Sequence, residues 1–259
     1  PLSLHELSDN YQLPTKLNDL LFKGLLPGVY DSSFEPRSLI AKALNSFIDK
    51  DIRLQGQVDN LTAFHTFIIQ CAEQIGQVVN FTALATESKI SDHTARRWLA
   101  LLEEHRILFL VHPYHKDFGK RLIKSPKLYF YDPGMVSALL KVERESIGQI
   151  SLQEKMYENL IMSEIAKWST YSLSQPQLYF WKDKTEHEIT CIIENAYSII
   201  PVIIANEKNP PTDAFTYWRK IGGPLTQSFI VSETDTMSAN DTVSLNWRYL
   251  EPLFEACGT

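Results

Sequence analysis

Residues 80–133 contain the most informative pattern in this sequence: NFTALATESKISDHTARRWLALLEEHRILFLVHPYHKDFGKRLIKSPKLYFYDP. Asn80 and Ser91 are each placed to cap the N-terminus of a helix, and Asp92 lies where its charge favours the second helix dipole. In that second helix the apolar residues recur at helical spacing and predict a buried stripe (Ala95, Trp98, Leu99, Leu102). Two short helices joined by a tight turn at residues 88–90 are typical of a helix-turn-helix.

Two strand-like segments follow the second helix, ILFLVHPY and RLIKSPKLYFYD, separated by the polar break HKDFGK. A hairpin in this position is a wing, so the sequence predicts a winged helix over residues 61–140. The second helix carries a basic outer face, and the hairpin adds further cations. The candidate DNA-binding residues are His93, Arg96, Arg97, Lys116, Lys120, Arg121 and Lys124. A solvated helix face would explain Arg96 and Arg97 equally well.

Charge is unevenly distributed along the chain. Residues 79–130 contain nine basic and five acidic side chains, a net charge of +4, whereas the whole chain has a formal net charge of −6. A basic segment in an acidic protein indicates where a polyanion would bind.

Composition is that of a folded protein, with 44% hydrophobic and 22% charged residues among 259. No apolar run approaches the roughly 18 residues of a membrane span, and no signal-peptide pattern occurs, so we expect a cytoplasmic protein without a membrane partner. Cys71, Cys191 and Cys257 lie far apart and in no metal-ligand spacing. We therefore expect reduced thiols and predict neither a metal site nor a cofactor.

Three segments organise the chain. In residues 1–60 the sequence predicts one helix around residues 17–25 and another from Pro36 to Arg53. Residues 61–75 are the predicted first helix of the winged domain. Lys141–Ile150 is the best linker candidate. Within residues 150–259, a capping box at Ser151 and Glu154 opens a long helix. Three predicted strands follow, QLYFWK, EITCIIE and SIIPVIIA. After them come a predicted helix over residues 213–221 and two more predicted strands, SFIVSE and SLNWRYL. This order is typical of an α/β layer arrangement.

A family resemblance covers the whole chain. The order of GLLPGVYD, IDKDIR, DFGKRLIKSPKLYFYDPG, YENLIMSEI and LYFWKDKTEHEIT resembles the C-terminal part of a bacterial and archaeal family of AAA+ ATPases. The resemblance implies a multidomain α+β and α/β protein. Its expected parts are a helical lid-like remnant of the ATPase, a winged helix-turn-helix, and a PD-(D/E)xK restriction-endonuclease-like α/β domain.

The phosphate-binding loop of that family is missing, since no GxxxxGK[ST] string occurs in the sequence. We expect either a piece of a longer family member or a truncated relative, unable to hydrolyse ATP by itself.

The nuclease motif of that family is also degraded. Laid on this chain, its EVD falls on Glu188-Ile189-Thr190, and the Glu and Lys of its ExK fall on Ile203 and Ala205. Such chemistry needs carboxylates to hold a divalent cation and a lysine near the scissile phosphate. The vestigial nuclease positions are thus Glu158, Glu188, Thr190, Ile203 and Ala205.

These patterns predict a non-catalytic region that binds DNA weakly, without sequence preference, through its winged helix. The alternative is a protein-interaction or oligomerisation module that regulates an ATPase core. A nuclease with migrated active-site residues is the third hypothesis.

Overall fold

The computed structural model describes residues 1–53, 58–114, 124–183, 185–206, 210–222, 227–233, 237–239 and 241–258. The architecture is mixed α/β. The chain divides into two compact units. The first contains residues 1–110 and 128–160, and the second contains residues 111–127 and 161–259.

The helices of the first unit follow one another closely along the chain. They are α1 (Leu4–Asn10), α2 (Leu17–Lys23), α3 (Pro27–Tyr30), α4 (Pro36–Phe47) with a π-helical extension Ile48–Arg53, α5 (Leu61–Glu73), α6 (Phe81–Glu87), α7 (Asp92–Glu104), α8 (Pro133–Leu139), a 3-10 helix Arg144–Gly148, and the beginning of α9 (Ile150–Tyr171). Strands β1 (Leu108–Pro113) and β2 (Lys127–Phe130) are hydrogen-bonded neighbours.

The carboxylate of Asp132 joins the end of α2 to the start of α8 in the first unit. Gly24 ends α2 with φ +73, a left-handed conformation that glycine adopts without strain. Asp132 caps α8 by accepting a hydrogen bond from the Met135 N–H at 2.9 Å. Its other carboxylate oxygen accepts one from the Leu25 N–H at 2.8 Å. One carboxylate therefore fixes the start of one helix and the end of another.

Strand β2 is held by a buried amide. The Asn159 side chain accepts a hydrogen bond from the Phe130 N–H at 2.7 Å and donates one to the Phe130 carbonyl at 3.0 Å. Buried backbone groups need such partners, because leaving them unpaired costs free energy. Asn159 thus takes the place of a neighbouring strand at this residue.

A mixed sheet forms the second unit. Its strands are β3 (Gln177–Lys182), β4 (Glu188–Glu194), β5 (Ile199–Ile204), β6 (Ser228–Ser232), β7 (Met237–Ala239) and β8 (Thr242–Asn246), with helices α10 (Asp213–Gly222) and α11 (Glu251–Ala256). The order is β1-β3-β4-β5-β6-β8-β7, in which β1 pairs with β3 through His112 and Pro113, residues that belong to this unit. Strand β4 runs antiparallel to both β3 and β5, whereas β6 is parallel to β5. The predicted order of helix, three strands, helix and strand is therefore present.

Three boundaries differ from the sequence predictions. Helix α9 begins at Ile150, so Ser151 lies inside its first turn and does not cap it. The predicted linker contains the 3-10 helix Arg144–Gly148, anchored where Arg144 pairs with Asp19 at 2.6 Å. The last predicted strand ends at Asn246, because Trp247 and Arg248 enter a turn.

Candidate nucleic-acid interface

Helices α6 and α7 are built as their sequence predicts. Asn80 accepts a hydrogen bond from the Ala83 N–H at 3.0 Å, and Ser91 accepts one from the Thr94 N–H at 3.1 Å. Trp98, on the buried stripe of α7, makes T-shaped ring contacts with Phe64 and Phe67 of α5. These contacts fix α7 on one side and leave its other side to solvent.

The solvent-facing side of α7 carries His93, Arg96 and Arg97, all exposed. The Cζ atom of Arg96 lies 3.8 Å from the centroid of the Phe81 ring, a cation–π contact with the first residue of α6. His93 and Arg97 have no hydrogen bond or ion pair with the part of the chain that the structure describes. The arrangement presents positive charge on one helix face.

The wing residues are placed only in part. Lys116, Lys120 and Arg121 lie outside the described residues, whereas Lys124 is described and exposed. Lys127 also falls in the basic segment, but only 5% of its side chain is exposed, and it forms an ion pair with Glu188. Its Nζ also lies 5.7 Å from the centroid of the Phe180 ring. Lys127 is therefore part of the core of the second unit.

Three of the vestigial nuclease positions lie around the end of β5. The Thr190 hydroxyl accepts a hydrogen bond from the Ile204 N–H at 3.2 Å. Ile203 belongs to a buried apolar cluster with Trp218 of α10, and Ala205 packs against the same cluster. These side chains serve packing and backbone pairing.

The two remaining acids of that motif have separate local partners. Glu188 is shared between Lys127 and Lys182, whose Nζ lies 3.7 Å from its second oxygen. Glu158 belongs to the first unit, where it accepts a hydrogen bond from the Tyr129 hydroxyl at 2.6 Å. Both carboxylates therefore already have structural contacts.

Sequence reasoning missed the loop between β3 and β4. Asp183 accepts hydrogen bonds from the Thr185 N–H at 2.7 Å and the His187 N–H at 3.0 Å, and its other oxygen lies 2.9 Å from His187 Nδ1. Burial raises the pKa of Asp183, but hydrogen bonds from His187 and Thr185 outweigh it, so the pKa is lowered overall. An Asp followed two residues later by Thr is a turn signal that could have identified this loop.

Two kinds of feature are absent from the residues that the structure describes. Among them, no group of three or more His, Cys, Asp or Glu side chains could hold a metal ion. Within the same ranges, no helix has the length and apolar character needed to cross a membrane.

Comparison with known proteins yields two families. Residues 14–146 match the family described as "Domain of unknown function (DUF8612)", and residues 153–249 match "Domain of unknown function (DUF4143)". The uncharacterized protein Rv2008c of Mycobacterium tuberculosis and the uncharacterized protein Mb2031c of Mycobacterium bovis are each 23% identical over 152 residues, which cover 58% of this chain and 34% of the relative. The chain thus spans about a third of the length of these curated relatives. No solved structure is significantly similar to it.

Proposed function

The chain belongs to the DUF8612 family of domains of unknown function, and we propose that its first unit binds duplex DNA weakly through the exposed face of α7. In this proposal α5, α6 and α7, followed by β1 and β2, form a winged helix, and α7 is the recognition helix. The observation that carries the proposal is the placement of His93, Arg96 and Arg97 on one exposed helix face.

Binding of this kind depends on phosphate charge, so it is independent of sequence and sensitive to salt. A dissociation constant on the order of 10⁻⁴ to 10⁻⁶ M at physiological salt is typical. Lys124 is a further exposed cation, and Lys116, Lys120 and Arg121, which lie outside the described residues, remain predicted contacts. A DNA contact through all of them would steepen the salt dependence by about 0.9 per phosphate neutralised.

We propose that the second unit is a degenerate endonuclease-like domain kept as a scaffold. Its helix, antiparallel strands, helix and parallel strand are consistent with that family resemblance. Ile203 and Ala205 pack in or against the apolar cluster at positions where the nuclease motif has Glu and Lys. The match to DUF4143, a domain often found with AAA ATPases, supports the wider AAA+ resemblance.

Fluorescence anisotropy of a labelled DNA duplex tests the DNA proposal. We expect binding that weakens steeply between about 50 and about 200 mM salt. Arg96→Ala combined with Arg97→Ala should weaken it and lower the salt slope by up to about two. Lys42→Ala, at an exposed position of α4, is the matched control. A flat titration at low salt would refute the proposal.

A protein-interaction role is favoured by a separate observation. Tyr171, Leu173 and Tyr197 are large side chains that are 85%, 92% and 96% exposed, so their apolar surface is available to a partner. As an oligomerisation module the chain would sediment with a concentration-dependent coefficient, and Tyr171→Ser with Tyr197→Ser would abolish that dependence. A single monomeric species at all concentrations would argue against self-association.

A further inference from the structure

The side chain of Arg96 is positioned by a contact that does not use its hydrogen-bond donors. Its guanidinium lies over the ring of Phe81 at 3.8 Å, and it forms no hydrogen bond or ion pair with other described residues. Arg106 is a contrast, because it donates a hydrogen bond to the Tyr131 hydroxyl at 3.0 Å. An aromatic face attracts a guanidinium through its quadrupole and leaves the N–H groups available.

A long side chain that is already ordered before binding loses less conformational entropy on binding, so the entropic cost of binding is lower. Arg97, one residue further along α7, is exposed and has no such contact within the described ranges. The two arginines therefore differ in preorganisation although they differ little in charge or exposure. A planar, preoriented guanidinium suits the oxygens of a phosphate group.

We propose that Phe81 is a positioning residue that holds Arg96 for contact with the phosphate backbone of duplex DNA. This inference rests on the proposed DNA-binding function of the same helix face. The ring of Phe81 is covered by Arg96, so that face of the ring is closed to a stacking base, which single-stranded nucleic acid would use. We therefore expect this helix face to bind duplex DNA more tightly than a single strand.

A double-mutant cycle in anisotropy tests the inference. Phe81→Leu keeps an apolar side chain and removes the ring, and we expect it to weaken duplex binding about two- to fivefold, the worth of an exposed cation–π contact. In an Arg96→Gln background the same change should have no effect. Phe81→Tyr keeps the ring and should bind duplex as the unmodified chain does when Arg96 is present.

The outcomes separate the two proposals. If the unmodified chain does not bind duplex DNA, the proposed function fails and this inference falls with it. If the chain binds but Phe81→Leu is neutral, or weakens binding by the same factor with and without the Arg96→Gln substitution, the positioning role is wrong. Tighter binding of a single strand than of the duplex would also overturn the inference. Thermal unfolding of each variant shows whether the helices remain intact.

Discussion

Gly24 and Gly134 meet backbone to backbone, so closely that a Cβ on Gly24 would lie 2.7 Å from the Cα of Gly134. The same Cβ would overlap the carboxylate of Asp132, which accepts a hydrogen bond from the Leu25 N–H. Gly24 belongs to GLLPGVYD and Gly134 to YDPG, two of the motifs that carry the family resemblance. These motif residues therefore serve packing between helices.

Gly24→Ala should destabilise the protein by about 2 to 5 kcal/mol, because it combines a left-handed backbone with overpacking against Gly134. Urea unfolding followed by tryptophan fluorescence measures the change. Gly28→Ala is the matched control, since a Cβ at Gly28 meets nothing within 4 Å. Equal stability of the two variants would contradict this account.

Local signals predicted α6 and α7 well, whereas contacts between distant segments could not be predicted. Asn80 and Ser91 cap the helices they were expected to cap, because a cap depends on residues only three positions away. Two contacts join segments that are far apart in sequence: the close approach of Gly24 to Gly134, and the hydrogen bond that Asn159 accepts from the Phe130 N–H.

Charge was the least reliable guide to the candidate site. Lys127 and Lys124 look alike in the sequence KSPK, yet Lys124 is exposed and Lys127 is buried beside Glu188. Lys127 begins β2, whose four residues are all buried, whereas Lys124 lies outside the strand, and this placement depends on tertiary packing that the local sequence does not show. Ile203 and Ala205, in contrast, are apolar where the nuclease motif has Glu and Lys, and both pack in or against the apolar cluster.

Glu188→Gln should cost about 1 to 3 kcal/mol, because it removes a charged hydrogen-bond partner from the buried Lys127 ammonium. Glu186→Gln is the control: Glu186 also pairs with a lysine, Lys182 at 2.5 Å, but its side chain is 77% exposed. That change should stay within about 0.5 kcal/mol. Chemical denaturation of the two variants makes the comparison, and a larger effect at Glu186 would overturn the assignment.

Asp183→Asn should lower stability in a pH-dependent way. The pKa of Asp183 is lowered in the folded chain, so its carboxylate stabilises the fold above the unfolded pKa of about 3.9. That contribution is lost as the pH falls through the folded pKa. The stability gap between the unmodified chain and the variant should therefore be widest near neutral pH and shrink below about pH 4.

Asp59→Asn provides the control for that experiment, because Asp59 is exposed and has no hydrogen bond or ion pair among the residues described. Its variant should track the unmodified chain across the pH range. A gap for Asp183→Asn that widens on acidification would have the wrong sign and refute the hydrogen-bond explanation.

Incubation of supercoiled plasmid with the chain and magnesium or manganese should produce no nicking. Ile203 and Ala205 offer neither a carboxylate nor an ammonium, and Glu188 is neutralised by lysines. Magnesium releases its waters reluctantly and needs carboxylate charge to stay bound. Removing the lysine next to the scissile phosphate also removes the cation that would stabilise the transition state.

Glu158→Ala decides how any nicking is interpreted. Glu158 accepts a hydrogen bond from the Tyr129 hydroxyl, so replacing Glu158 weakens the fold modestly. In a scaffold without an active site, that replacement would neither create nor remove nuclease activity. Nicking that disappears in Glu158→Ala, while Glu154→Ala at an exposed position of α9 retains it, would establish a migrated active site. Nicking that persists in both variants indicates a contaminating enzyme. A carboxylate with a structural partner can still bind a cation. Glu158→Ala and Glu154→Ala must therefore be purified in the same way and compared side by side.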